Sequence, residues 1–263
     1  RRVTFLLAGL FAVSAALASL PANPQASTPA NPPANPMEET YGKGETLDYT
    51  VNWMKVVGGT ARMTIAPDGE SKWRITSVAK SGGGLARFVK VRDEIETIVD
   101  RGDFSTLRYS KKLDERGDKM EEVTTVEDGV ASRKRKKIRK VPVPRPVYDP
   151  ISIIYHFRTL ELAPGKMYEF TLISDGKLYT VHGRVMKREK VTTPVGTFDA
   201  LLVEPQMASA GVQREERLFI WYSDDERRLP LRIRTEVKFG SVTATLKSVT
   251  AGVTSIDPPV LPK

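Results

Sequence analysis

The chain has no cysteine in its 263 residues. That removes disulfides, thiolate zinc sites and cysteine nucleophiles, and leaves no residue here for N-terminal lipidation. Histidine is nearly absent as well. His156 and His182 are the only two, and no HExxH spacing exists, so a metal site would need carboxylates gathered from distant segments. There is no GxSxG elbow, no Walker-type loop and no GxGxxG. The run Gly82-Gly83-Gly84 is followed by Leu85 and not by a Lys-Ser/Thr pair, so it reads as a flexible corner and not a phosphate cradle. His182 reads as an ordinary strand residue. No catalytic residue, metal or cofactor is predicted.

Long apolar runs are also missing beyond the first twenty residues. The one such run, Val3 to Leu20, follows Arg1 and Arg2, and a small-residue motif lies near its end at 16–18 or just beyond it at 22–26. It is marginal for a membrane span of about 20 residues and carries Gly9, Ser14 and Ser19. Residues 1–20 are therefore read as a cleaved signal peptide, not a retained anchor, with a mature start near Ser19 or Ser27. The expected location is the periplasm or another exported compartment. Residues 21–43, rich in Asn-Pro, read as a disordered, solvated linker. Residues 251–263 read as a tail.

What lies between, 44–250, alternates with period two. Leu47, Tyr49, Val51 and Trp53 are one example; Ala61, Met63 and Ile65, then Tyr168, Phe170 and Leu172, are others. Such runs bounded by Gly, Pro and Asp are half-buried antiparallel strands. Hairpins are expected at Gly58-Gly59, Asp68-Gly69, 116–118, Asp128-Gly129, Asp175-Gly176 and Pro194-Val195-Gly196. Gly240 is expected to bend one long strand from Leu231 to Val249. About a dozen strands at even spacing predict a mainly β fold, a single strongly bent or barrel-like sheet. Only two segments break the rhythm. Residues 84–89 suggest one helical turn. Asp149-Pro150, an N-cap followed by proline, opens a helix over 150–160 that plugs one end of the sheet.

Charge is local. The formal net charge is +9. Arg1 and Arg2 bring two of those charges, and the segment Arg133, Lys134, Arg135, Lys136, Lys137, Ile138, Arg139, Lys140 brings seven basic residues, so the remainder is near neutral. Seven cations cannot be buried together. The segment is an edge strand protected from aggregation by charge, or a contact for anionic envelope lipid or polymer. Nucleic acid is excluded as a partner if the chain is exported. The carboxylates Asp93, Glu94 and Glu96 read as an exposed face with cross-strand ion pairs.

Several phrases, in order, resemble a known family. They are Gly44-Glu45-Thr46-Leu47-Asp48-Tyr49, Gly58-Gly59-Thr60-Ala61, Asp149-Pro150-Ile151-Ser152-Ile153-Ile154-Tyr155, Thr193-Pro194-Val195-Gly196 and Trp221-Tyr222-Ser223-Asp224-Asp225. The chain is similar, from about Gly44 to Val249, to the bacterial exported family called domain of unknown function 3108. The resemblance implies an extracytoplasmic antiparallel β domain and supplies no catalytic residues. The expected function is a non-enzymatic envelope protein whose curved sheet binds a lipid, polymer or protein, with Tyr49, Trp53, Trp73 and Phe157 as candidate pocket residues. A scaffold domain is the alternative, and a hydrolase of envelope polymers is the third reading.

Overall fold

The computed structural model describes residues 41–54, 56–82, 90–115, 117–208, 217–237 and 240–253. The expected signal segment, the linker up to residue 40 and the helical turn expected at 84–89 lie outside the described residues.

The first eight strands are β1 (Glu45–Trp53), β2 (Val56–Pro67), β3 (Lys72–Ser81), β4 (Val91–Asp100), β5 (Thr106–Glu115), β6 (Asp118–Glu127), β7 (Val130–Lys134) and β8 (Ile138–Pro142). A short helix, α1 (Ser152–His156), and a 3-10 turn, Phe157–Thr159, follow. The last six are β9 (Met167–Ser174), β10 (Lys177–Thr193), β11 (Gly196–Ala208), β12 (Arg217–Ser223), β13 (Pro230–Val237) and β14 (Gly240–Ala251). All fourteen form one antiparallel sheet, in the order β8-β7-β6-β5-β4-β3-β2-β1-β14-β13-β12-β11-β10-β9. The first and last strands thus pair in the middle, and a meander runs outward on each side.

The sheet curls but no ladder closes it. Its two edges, β8 and β9, are joined across a seam by the segment leading into α1. There the Thr106 amide donates to Val147 O at 2.8 Å, and Tyr148 exchanges bonds of 2.9 and 2.7 Å with Thr171 and Ile173 on β9. Lower on the seam, Lys111 Nζ reaches Asp175 Oδ1 at 2.7 Å. A Cβ on Gly176 would come within 2.7 Å of the Arg133 side chain, so the β9–β10 turn rests directly against β7.

Alternation decides which face is inside. In β1, Leu47, Tyr49 and Val51 are buried between half-exposed neighbours. Their cross-strand partners Met63, Ala61 and Gly59 continue the same inner face. Ile151, Ile153, Ile154, Tyr155 and Phe157 fill that interior from one end, in a single apolar cluster with residues from both meanders.

Three details differ from expectation. The helix is shorter than 150–160 because Pro150 and Ile151 form the turn that leads into it, and the last part tightens to 3-10 geometry. Gly58-Gly59 is not a hairpin turn. Val51 faces Gly59 while Asn52 faces Val57, which leaves Gly58 as the extra residue of a bulge. A Cβ on Gly59 would lie 2.1 Å from Lys80 O, so glycine is required there by the close approach of β3. Gly240 does not bend one strand; it opens β14 after a reversal, with φ of 132°. Tyr41, placed in the linker by the sequence reading, is buried in the core.

Topology sorts the connections into two ends. The turns β1–β2, β3–β4, β5–β6, β7–β8, β9–β10, β11–β12 and β13–β14 all lie at one rim. The helix and the remaining turns lie at the other, plugged end. Both ends of the described chain meet there, where the Gly252 amide donates to Gly44 O at 3.1 Å.

Candidate functional site

The plugged end is rich in buried polar groups. Its charged ones, Asp149, Glu45 and Arg158, are all partnered, whereas Tyr155 Oη, His156 Nδ1 and Trp73 Nε1 have no hydrogen-bond partner among the described residues. Asp149 is fully buried. Its Oδ1 accepts the Ile151 and Ser152 amides at 2.8 and 3.0 Å, and its Oδ2 accepts the Thr97 and Thr106 hydroxyls. The Asp149 amide in turn donates to Ser152 Oγ at 2.8 Å, a reciprocal cap. Burial still holds its carboxyl above the ordinary range, against the pull of those donors. At the helix C-terminus, the Tyr222 and Tyr41 hydroxyls donate to the carbonyls of Ile154 and Tyr155 at 3.0 and 2.8 Å. Carbonyls in the last turn of a helix lack their full set of internal partners, and these hydroxyls add to them. Arg158 pairs with Glu45 and donates to Arg227 O at 3.0 Å, with its guanidinium 4.9 Å from the Tyr41 ring. This network anchors the plug to both meanders.

The candidate aromatics divide between the two ends. Tyr49, Trp73 and Phe157 are buried in the core. The Tyr49 hydroxyl donates to Pro230 O at 3.0 Å, Trp73 lies under the Arg101 guanidinium, and Phe157 packs on Phe170 at 5.0 Å. As placed, these three contact protein and present no surface to a ligand. Trp53 is half-buried at the opposite rim.

Neither histidine sits in a reactive arrangement. His156 is stacked on Tyr148 at 4.7 Å, and burial pushes its pKa down to about 4. His182 lies beside Glu169, with Nδ1 3.7 Å from Oε2. Among the described residues no group of three His, Cys, Asp or Glu could hold a metal ion.

Asp93 is where the sequence reading of the carboxylates fails. Glu96 does face outward and takes Arg74 and Arg108 at 2.6 and 2.7 Å. Asp93 points the other way. It is only 3% exposed, and among the described residues only the Asp114 amide approaches its carboxylate, without a well-formed hydrogen bond. Burial, then the charge of Glu115, pushes its pKa up to about 7. The signal was available: Val91, Asp93, Ile95, Thr97 and Val99 share one face at period two.

The basic segment forms the β7–β8 hairpin at the edge of the sheet. Lys134 pairs with Ile138, so residues 135–137 make the tip. Only one of its seven cations is drawn inward. Arg133 reaches Glu122 at 2.5 Å, and Glu122 and Asp175 flank Lys111 at 3.5 and 2.7 Å. The hydrogen bond that Arg133 donates to Glu122 holds its guanidinium above its ordinary pKa. Arg133 is thus part of the seam that holds the sheet in its curl. Lys134, Arg135, Lys136, Lys137, Arg139 and Lys140 are exposed and form no ion pair among the described residues. An open concavity of about 630 Å³ lies against them, lined by Arg133, Arg135, Lys136, Lys137, Ile138 and Arg139. Its chemistry suits an anion. The sequence marks Asp175 only as a turn residue and gives no sign that it meets Lys111 and Glu122, because their contacts join residues as much as 64 positions apart.

No curated protein matches this chain. Among solved structures it is similar to a β-barrel-like protein of domain of unknown function DUF1849 from Brucella abortus. The two are 13% identical with a TM-score of 0.58, over 79% of this chain and 97% of that one. That likeness is one of fold alone. A protein of YmcC-like fold from Bacteroides fragilis, described as exported, aligns over 78% of this chain and 95% of its own at 13% identity. Its TM-score of 0.31 carries no argument. The model of the family described as protein of unknown function, DUF3108, matches residues 48–247, most of the sheet from β1 to β14, and the chain belongs to that family.

Proposed function

We propose that this domain is a non-enzymatic protein of the cell envelope that uses its curved sheet to hold the β7–β8 hairpin against anionic, phosphate-bearing envelope material. The observation that carries the reading is the hairpin itself: six exposed cations without a counter-charge among the described residues, on a body otherwise near neutrality. Edge protection is served by charge placed along the strand, whereas these cations gather about the hairpin tip around an open concavity. The interior at the plugged end is filled by Tyr49, Trp73 and Phe157, which moves the contact from the concave face to the rim. Export through the segment 1–20 is part of the proposal and places the hairpin beside lipid phosphates.

Each Lys or Arg near an anionic surface contributes about 1 kcal/mol, and the attraction is screened over about 8 Å at physiological salt. The test is sedimentation with phosphatidylglycerol vesicles at low and high salt. Wild type should bind at low salt and release at high salt. Replacing Lys134, Lys136, Lys137 and Lys140 with Gln should abolish binding. A wild type that ignores vesicles and soluble polyanions at low salt would overturn the proposal.

A further inference from the structure

Four of the six large apolar side chains exposed among the described residues lie at two turns; the other two, Met167 and Met186, at 63 and 39%, lie at the start of β9 and within β10, away from both. Met54, Val56 and Val57 are 59, 58 and 55% exposed, all at the β1–β2 turn, and Ile138 is 67% exposed in the β7–β8 hairpin. Both turns belong to the same rim. They stand on opposite sides of its mouth, because β1 lies in the middle of the sheet and β8 at its edge. The opposite end holds the plug and the junction of Gly44 with Gly252.

The two tips also reach a similar height. The cross-strand row from Leu47 runs through Met63, Ser77, Ile95, Lys111 and Glu122 and ends beside Lys134. That row crosses about 29 Å of sheet at roughly 4.8 Å per strand. In barrel-like sheets strands tilt by about 40°, so the row climbs roughly 18 Å. From Leu47 to Met54 is seven residues along the strand, which climbs about the same amount at that tilt. The seam fixes the direction of the climb, since the β9–β10 turn, another rim turn, rests against Arg133 and Arg139.

A rim carrying apolar tips beside uncompensated cations matches one surface: a bilayer with anionic headgroups. A soluble polyanion would engage the cations and leave Met54, Val56 and Val57 in water. We infer that the domain docks end-on onto an anionic phospholipid bilayer, with Met54, Val56, Val57 and Ile138 entering the headgroup–acyl boundary, the hairpin cations at the phosphates and the plugged end facing away. Ile138 between Lys137 and Arg139 is placed as interfacial anchors are, apolar side chain below and cationic heads above. The inference rests on the anionic-surface reading above and adds depth, orientation and a bilayer as the occupant.

The absence of cysteine makes the test direct. Val57→Cys and, at the plugged end, Glu70→Cys each give the mature protein a single site for an environment-sensitive fluorophore. On phosphatidylglycerol/phosphatidylcholine vesicles, the label at position 57 should shift to the blue and be quenched by nitroxide lipids, while the label at 70 should not respond. Val56→Asp with Val57→Asp should lower the partition coefficient at least about tenfold, as expected for loss of two shallowly buried apolar side chains. Both substitutions are exposed, and an unchanged melting curve confirms the fold. Salt-sensitive vesicle binding with a silent label at 57 overturns end-on insertion and leaves the hairpin reading standing. Binding to polyphosphate but not to vesicles overturns the bilayer and leaves an anionic polymer as the partner. Binding to neither removes both proposals together.

Discussion

Asp149 and Asp93 are both buried carboxylates on the inner side of one sheet, yet they are held in opposite ways. Asp149 accepts from two amides and two hydroxyls at the plugged end. Asp93, nearer the rim, is approached by the Asp114 amide but makes no well-formed hydrogen bond among the described residues, and has Glu115 for a neighbour. Burial raises the pKa of both carboxyls, but donors that replace water oppose that rise at Asp149, whereas Asp93 has little to oppose it. The plugged end is therefore built as fixed structure, whereas Asp93 leaves a titratable defect in the wall.

The comparison can be broken most sharply at the plug. Arg158→Ala would leave Glu45 buried without its cation, a loss of about 3–5 kcal/mol. Urea unfolding should show it, and an unchanged midpoint would mean that Glu45 escapes to solvent. Asp149→Ala comes next, at about 2–4 kcal/mol, because two amides and two hydroxyls lose their acceptor together. A loss of 1 kcal/mol or less would reduce Asp149 to an ordinary cap. Asp149→Asn should cost less than Ala, since its carbonyl oxygen still accepts.

Asp93 should behave with the opposite sign. Its pKa in the folded protein is about 7, above the ordinary 3.8. The folded state therefore holds a proton that the unfolded chain has released between those values. Its contribution is fully present below about pH 4 and is lost as pH rises through 7. Asp93→Asn should flatten that decline and gain about 1–3 kcal/mol at pH 8, with little change at pH 4. Parallel unfolding curves for wild type and variant at all pH values would show that Asp93 has a partner in solution. The smallest effect belongs to the hairpin. The four Lys→Gln changes at 134, 136, 137 and 140 should move stability by less than about 0.5 kcal/mol, since none is paired. A large fall would make the exposed cations part of the fold.

The strands were legible because each writes its own burial into consecutive residues. Leu47, Tyr49 and Val51 announce an inner face without reference to any other strand. The reversals at Asp68-Gly69, Asp128-Gly129 and Asp175-Gly176 were legible for the same local reason, a backbone that needs positive φ. Gly58 and Gly240 show the limit: a bulge and a turn both call for glycine, and only the neighbouring strand decides between them. Asp93 was misread by its charge when its parity had already placed it inside. The seam of Lys111, Glu122, Arg133 and Asp175 was beyond reach. Its members come from four places in the chain, and nothing local marks an ion pair that forms only when a sheet curls.

The pairing of β1 with β14 has a kinetic meaning. Either meander can zip hairpin by hairpin from short-range contacts, but the joint between them links residues about two hundred positions apart, as Glu45 with Ala251. Contacts of such separation form late and slowly. Until residues 240–251 arrive, the chain is two half-sheets, each with a bare central edge. Assembled in that order, the two half-sheets are joined only when β14 enters beside β1.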